Sequence, residues 1–335
     1  MTKVRAAKTL TFLAAFAISG LAQAQERLVV AFPGPLNISY LPLDLAAKIG
    51  ADKAEGVELV TRHTGGGGVA LQHLQTRNAD FTVAGVPAVM SAKANGSDVV
   101  VIASVDDLTL FILMVRSDLK GKVRRVRDLA GKVVGVNTSS LSSKTTSQQL
   151  AELLLKNDGI SPAQVRIIAA GQSWDEQSAL VLSKSADAIL GDEPFASRLR
   201  DAGQVYFLVN LADPADAAKV PGAGFLHAAL VARSDLLQQA PQKARKMVAV
   251  VRRTLQWMAG HTPEQIVDAL RIDDESARRS LLQSLRQYSR LYSPDGKLSK
   301  RQIRETDIFY AATEGGGKRI LLGDIVDDRW AGRKP

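Results

Sequence analysis

Short apolar runs alternate with longer stretches of helical spacing from Leu28 onward, and the alternation predicts a series of strands and helices. Strands are predicted at Leu28 to Phe32, Val57 to Thr61, Phe81 to Ala84 and Val99 to Val105. Helices around Pro42 to Ile49, Val69 to Thr76 and Pro87 to Ala94 lie between them. Such alternation predicts parallel pairing through helical crossovers. The pattern restarts at Leu110 to Val115 and continues through strands at Val133 to Val136, Val165 to Ala169, Ala188 to Leu190 and Val205 to Val209. Helices near Ser143 to Lys156, Asp175 to Leu182 and Pro194 to Ala202 separate these. A second α/β unit of similar size is the simplest account.

A polar stretch containing Pro and Gly, Ala212 to Gly224, follows, and Ala228 to Ala232 is the next predicted strand. Leu110 to Val115 runs into Arg116-Ser117-Asp118-Leu119, and Ala228 to Ala232 runs into Arg233-Ser234-Asp235-Leu236. The same four residues thus open the segment that follows each unit, and both copies read as strands crossing between two lobes. The remainder predicts helices at Pro241 to Ala259, Pro263 to Leu270, Glu275 to Arg290 and Lys300 to Ala312. The expected division is residues 25–109 for the first part of lobe 1, 110–211 for lobe 2, 212–226 for the crossover, and 227–335 for the return strand and C-terminal helices of lobe 1. The expected fold class is α/β: two lobes, each a parallel-dominated sheet flanked by helices, with a helical C-terminal region.

Residues 1–24 change the picture of where the chain works. Lys3, Arg5 and Lys8 form a basic start, Thr9 to Leu21 is uncharged and mostly apolar, and Ala22-Gln23-Ala24 supplies small residues before Gln25. This is the pattern of a cleavable export signal cut near Ala24. A membrane anchor needs about 20 consecutive apolar residues, and this run is shorter and interrupted by Thr, Ser and Gly. The expected location is therefore periplasmic. Removing the leader takes three of the nine net positive charges. The rest are dispersed, so a solvated basic surface is preferred over a nucleic-acid partner. The chain has no Cys, which excludes disulfides, thiol nucleophiles and Cys-bound metals.

In open parallel sheets, ligands sit beyond the carboxyl ends of the strands, so those loops hold the candidate site residues. Asn37, Ser39 and Tyr40 follow the first strand. Gly66, Gly67 and Gly68 belong to Thr64-Gly65-Gly66-Gly67-Gly68 at the mouth of a helix, where backbone N–H groups and the helix dipole favour an anion. A ligand-free flexible turn is the alternative. Gly85 follows the third strand. Thr138, Ser139 and Ser140 either cap the next helix or meet a ligand. Ser173 and Trp174 occupy another loop tip, where the indole either stacks on a ligand or plugs the lobe interface. Asp192 and Glu193 either pair with a cationic ligand group or cap a helix. His63, His73, His227 and His261 lack zinc-site spacing and read as surface or packing residues. No Gly-x-Ser-x-Gly elbow appears. No catalytic residue, metal or cofactor is expected.

The ordered series Tyr40-Leu41-Pro42-Leu43, Gly56-Val57-Glu58-Leu59, Gly65 to Gly68 with Ala70-Leu71, Ala79-Asp80-Phe81 and Asp128-Leu129-Ala130-Gly131-Lys132-Val133-Val134-Gly135-Val136 resembles one family. So do Gly159-Ile160, Ala186-Asp187-Ala188 and Glu193-Pro194. That family is the periplasmic solute-binding proteins of nitrate, sulfonate and taurine ABC importers, related to thiamine-pyrimidine binders. The resemblance implies a type II binding-protein fold with a hinge and cleft, a small-molecule ligand and delivery to an inner-membrane ABC permease. A monomer is expected. A small anion such as a sulfonate or nitrate is the preferred solute, with a thiamine-pyrimidine type, a ligand-sensing role or an enzyme on the same scaffold as alternatives. Enzymes of that scaffold look to Cys residues absent here.

Overall fold

A computed structural model describes residues 25–313 and 320–334; the export signal expected at residues 1–24 lies outside the described residues. Ten strands build two sheets. They are β1 (Glu26–Phe32), β2 (Val57–His63), β3 (Phe81–Gly85), β4 (Val100–Ser104), β5 (Ile112–Arg116), β6 (Val133–Val136), β7 (Arg166–Ala169), β8 (Ala188–Gly191), β9 (Val205–Asn210) and β10 (Ala228–Ala232). The orders are β2-β1-β3-β10-β4 and β7-β6-β8-β5-β9. These are the same permutation: in each lobe the strand entering from the other lobe takes the fourth place. β5 and β10 are buried along their whole length, as expected for strands covered on both faces.

Each sheet is parallel-dominated, as expected, with one strand reversed. β10 is antiparallel to β3 and β4, and β5 is antiparallel to β8 and β9. Each sheet is therefore mixed, with four strands pointing one way and the returning strand against them. The reason is topological: a chain arriving from the other lobe enters the sheet from the cleft end and has no crossover helix to turn it round.

The repeated Arg-Ser-Asp-Leu has the same job twice. Arg116 Nη1 donates to the carbonyls of Lys184 and Ala186 at 3.1 and 3.3 Å, while its Nε meets Asp118 at 2.9 Å. Arg233 Nη1 donates to the carbonyls of Leu74 and Ala79 at 2.6 and 3.3 Å, while its Nε meets Asp235 at 3.0 Å. In each lobe a nearly buried guanidinium closes the turn that leads from a helix into the strand beside it. Arg is suited to this because its planar fork serves several acceptors at once.

Helix boundaries moved where side chains cap them. The helix expected from Ser143 begins at Thr146, because the Thr145 side chain accepts from Gln148 N. The polar stretch 212–224, expected as a crossover, contains the short helix Pro214–Ala217, capped by Asp213. The C-terminal helices bind the lobes to each other. Pro241–Ala259 buries Met247, Val251, Leu255 and Met258 along one face. The helix Lys300–Thr313 carries Phe309 into the lobe 2 core, stacked near Phe225 with ring centroids 4.3 Å apart. Among the described residues no helix is long and apolar enough to cross a membrane.

Replacing Arg116 with Ala removes the donor to Lys184 O and Ala186 O, and replacing Arg233 removes the donor to Ala79 O and one of those to Leu74 O; each change is expected to cost about 1.5–3 kcal/mol, read from the midpoint of chemical denaturation. Loss of less than about 0.5 kcal/mol at both positions would contradict this role.

Candidate functional site

The loops at the carboxyl ends of the two sheets meet face to face. Lobe 1 brings glycines and lobe 2 brings hydroxyls. A Cβ at Gly66 would lie under 3.0 Å from Thr138 Oγ1; one at Gly65 would strike Ser139 Oγ, one at Gly68 Ser143 Oγ, and one at Gly85 Thr146 Oγ1. Gly66 has φ of 172°, extended backbone open to any residue, so the close approach of the opposite lobe is what demands glycine there. Backbone bonds cross the same junction, from Ser139 N to Gly65 O at 2.7 Å and from Ile38 N to Glu193 O at 3.1 Å. Ala88 N donates to Thr146 Oγ1 at 3.3 Å. The structure shows the lobes closed.

Closure leaves a small cavity of about 20 Å³, lined by Tyr40, Gly67, Gly85, Phe111, Asp192 and His227 with Asn137, Gln172 and the hydroxyls of Thr145, Thr146 and Ser147. That is room for about one water, so a larger solute requires the lobes to part. Behind the wall lies a buried polar network. Asn37 Nδ2 donates to Asp192 Oδ2 at 2.7 Å and to Gln172 Oε1 at 3.2 Å, and Gln172 Nε2 donates to Asn137 O at 2.6 Å. His227 Nδ1 meets Asp106 Oδ2 at 3.2 Å, and its Nε2 faces the Tyr40 hydroxyl at 3.4 Å. The imidazole is wedged edge-on against Phe111, with centroids 4.8 Å apart.

Two carboxylates and one imidazole thus share a buried space, and protons added to the carboxylates lower its charge. Burial raises the pKa of Asp192, with His227 and Asn37 opposing but not reversing it. Burial likewise raises Asp106. For His227, burial alone lowers the value, but the hydrogen bond and charge of Asp106 outweigh it and the net shift is upward. Tyr40 lies well above its ordinary value through burial and the charges of Asp192 and Asp106. Among the described residues no Lys or Arg lines the cavity. Asp106 Oδ1 and Gln177 Oε1 are buried without a hydrogen-bond partner, and both can accept but not donate while the acid is ionised.

The residues expected from sequence fall into four groups. Tyr40, Gly67, Gly85 and Asp192 line the cavity. Asn37 stands one hydrogen bond behind it, and the buried Ser39 Oγ has no partner. Gly66, Gly68, Thr138 and Ser139 form the contact between the lobes, with Ser140 outside them, where its hydroxyl donates to Ser142. Ser173 caps the helix Trp174–Leu182 and Glu193 accepts from Ser197. The guanidinium of Arg198 covers the Trp174 ring at 3.9 Å; neither Ser173, Trp174 nor Glu193 lines the cavity. His227, read as a surface or packing residue, is a buried member of the Asp106 pair. Asp106 and His227 are 121 positions apart, and no local spacing could have joined them. Among the described residues no group of His, Asp or Glu is arranged to hold a metal ion.

Two lobes of one strand order closing on an internal cavity have the architecture of the periplasmic binding proteins. The chain belongs to the NMT1/THI5-like family, whose model matches residues 37–266. Solved structures share the fold at low identity. A protein of Bordetella bronchiseptica RB50 superposes with a TM-score of 0.82 at 19% identity, covering 91% of this chain and 95% of that one. The alkanesulfonate-binding protein SsuA of Xanthomonas axonopodis pv. citri, bound to MOPS, gives 0.69 at 18%, covering 90% and 98%. The periplasmic nitrate-binding protein NrtA of Synechocystis PCC 6803 gives 0.59 at 14%, covering 75% and 66%. No curated protein matches the sequence.

Gly66→Ala is expected to hold the lobes apart while leaving each lobe folded. Small-angle scattering should show a larger radius of gyration than the parent with unchanged circular dichroism, and Thr138→Gly added to it should restore closure. An unchanged radius in the single variant would overturn the contact.

Proposed function

We propose that the protein is an extracytoplasmic solute-binding protein that captures a small polar solute between its lobes and delivers it to an inner-membrane ABC permease. The observation that carries the solute class is the buried Asp192 carboxylate at the cavity wall, held by the neutral amides of Asn37 and Asn137 rather than by a cation, beside a second buried carboxylate and, among the described residues, no lining Lys or Arg. A cleft of acidic acceptors is complementary to N–H donors, so the preferred solute carries an amine, amidine or aminopyrimidine group. Tyr40 and Phe111 supply flat surfaces beside it. Binding works by differential affinity: a solute that bridges the lobes stabilises the closed form. Export through residues 1–24 and a monomeric state belong to the same reading.

The anion reading, preferred on the sequence alone, becomes second. Gly67 opens the helix Gly67–Gln75 at the cavity wall, and amides at a helix start favour negative charge. Sulfonate and nitrate neighbours of the same fold agree with it. The buried carboxylates oppose it, because an anion would have to be desolvated beside them.

A thermal-shift panel of amines, aminopyrimidines, sulfonates, nitrate and carboxylates separates the two. Stabilisation by nitrogen-bearing solutes is expected, with Asp192→Asn weakening their binding about 10- to 100-fold, as loss of a charged hydrogen bond of about 1.5–3 kcal/mol requires. Stabilisation by sulfonate or nitrate alone would overturn the preferred solute, and turnover of any bound solute would overturn a purely binding role.

The pH dependence has a definite sign. Asp192 is raised in the closed form above the ordinary carboxylate value of about 4. Its contribution to the empty closed form is present below about pH 4 and is lost as pH rises through the raised value. A cationic solute needs the carboxylate, so its affinity should fall on acidification while the pH is still above about 4, measured by calorimetry across pH 4–8. Asp192→Asn should flatten that profile.

A further inference from the structure

The C-terminal helices enclose a second cavity that the solute cleft does not use. It measures about 490 Å³, against about 20 Å³ for the closed cleft, and is within the range of small-molecule sites, about 300–1,000 Å³. Leu255, Met258, Ile266 and Leu285 form its apolar walls, and Arg290 and Asp107 stand among its polar residues. Its inner wall is the hinge. Asp107 N donates to Leu291 O at 2.7 Å, and Asp106 bridges Tyr292 where the chain leaves lobe 1. Tyr288 and Tyr292, which also line it, reach the cleft loops. The Tyr292 hydroxyl donates to Ile38 O at 2.6 Å, and the Tyr288 hydroxyl lies 3.5 Å from Glu193 Oε1.

Charge selects the ligand. Asp107 Oδ2 is already met by Lys334 Nζ at 2.7 Å, which offsets its charge, while its Oδ1 is buried without a hydrogen-bond partner. His261 is stacked on Trp257, with centroids 3.7 Å apart, and its Nδ1 lies 2.7 Å from Trp257 O. Arg290 is exposed and has no hydrogen bond or ion pair among the described residues. The polar side therefore carries one uncompensated positive charge beside an apolar chamber. We infer that this chamber is a second small-molecule site, taking a compact amphipathic carboxylate whose head pairs with Arg290 and whose apolar body lies between the helices Pro241–Ala259, Pro263–Leu270 and Glu275–Gln287. A guanidinium suits a carboxylate because two parallel N–H bonds match its two oxygens.

Octanoate is the probe and 1-octanol its uncharged control, each titrated into the purified protein by calorimetry. One saturable octanoate site is expected. Arg290→Gln should weaken octanoate at least tenfold and leave octanol within twofold. Ala259→Trp, which fills the chamber from an exposed position on its rim, should weaken both at least tenfold with unchanged circular dichroism. Asp192→Asn, in the cleft, should change neither. Absence of saturable heat, octanoate binding indifferent to Arg290→Gln and Ala259→Trp, or octanoate binding lost with Asp192→Asn would each overturn the site.

Discussion

The fold depends on how closely two loop layers approach. Lobe 1 presents backbone with no side chain at 65, 66, 68 and 85, and lobe 2 fills the space with Ser and Thr hydroxyls. Side chains of ordinary size on both surfaces would hold the sheets apart, and the interlobe bonds from Ser139 to Gly65 and from Ile38 to Glu193 would not form. The polar cluster behind them, with Asn37, Asp192, Gln172 and Asn137, is buried only because the lobes meet. Geometry of the backbone thus sets the electrostatics of the cleft.

That electrostatics gives the cleft its character. Burying Asp106, Asp192 and His227 together favours uptake of protons, and each added proton lowers the charge. A solute that donates N–H groups does for the cluster what protons do. Binding and proton release are then two sides of one linkage. The orientation of His227 is held by three neighbours: Asp106 on one nitrogen, Tyr40 beside the other and Phe111 against the ring edge.

The two lobes repeat one plan. Each sheet places its incoming strand fourth, and each closes a helix-to-strand turn with the Arg of the same tetrapeptide. The C-terminal helices break the symmetry, since they have no counterpart on lobe 2. They form the wall of the hinge and carry Tyr288 and Tyr292 to the cleft loops, so the part of the chain that lies outside the repeat is also the part that joins the halves.

The strand and helix sequence, the restart at Leu110, the repeated Arg-Ser-Asp-Leu and the glycine run were legible in the sequence, because each is written in neighbouring residues. Tyr40, Gly67, Gly85 and Asp192 were legible as residues of strand-end loops, since the end of a strand marks the cleft side of an α/β sheet. The parallel pairing of most strands was legible too, but the reversal of β5 and β10 was not, because it is set by where the chain re-enters a sheet. Asp106 with His227, and Asn37 with Asp192, were not legible either: 121 and 155 positions separate the partners. Neighbouring residues fix the elements and the small side chains that let two layers touch. Which charges share the buried space between those layers is settled only when the lobes meet, because burial and pairing across a hinge are properties of the closed molecule and of no local segment.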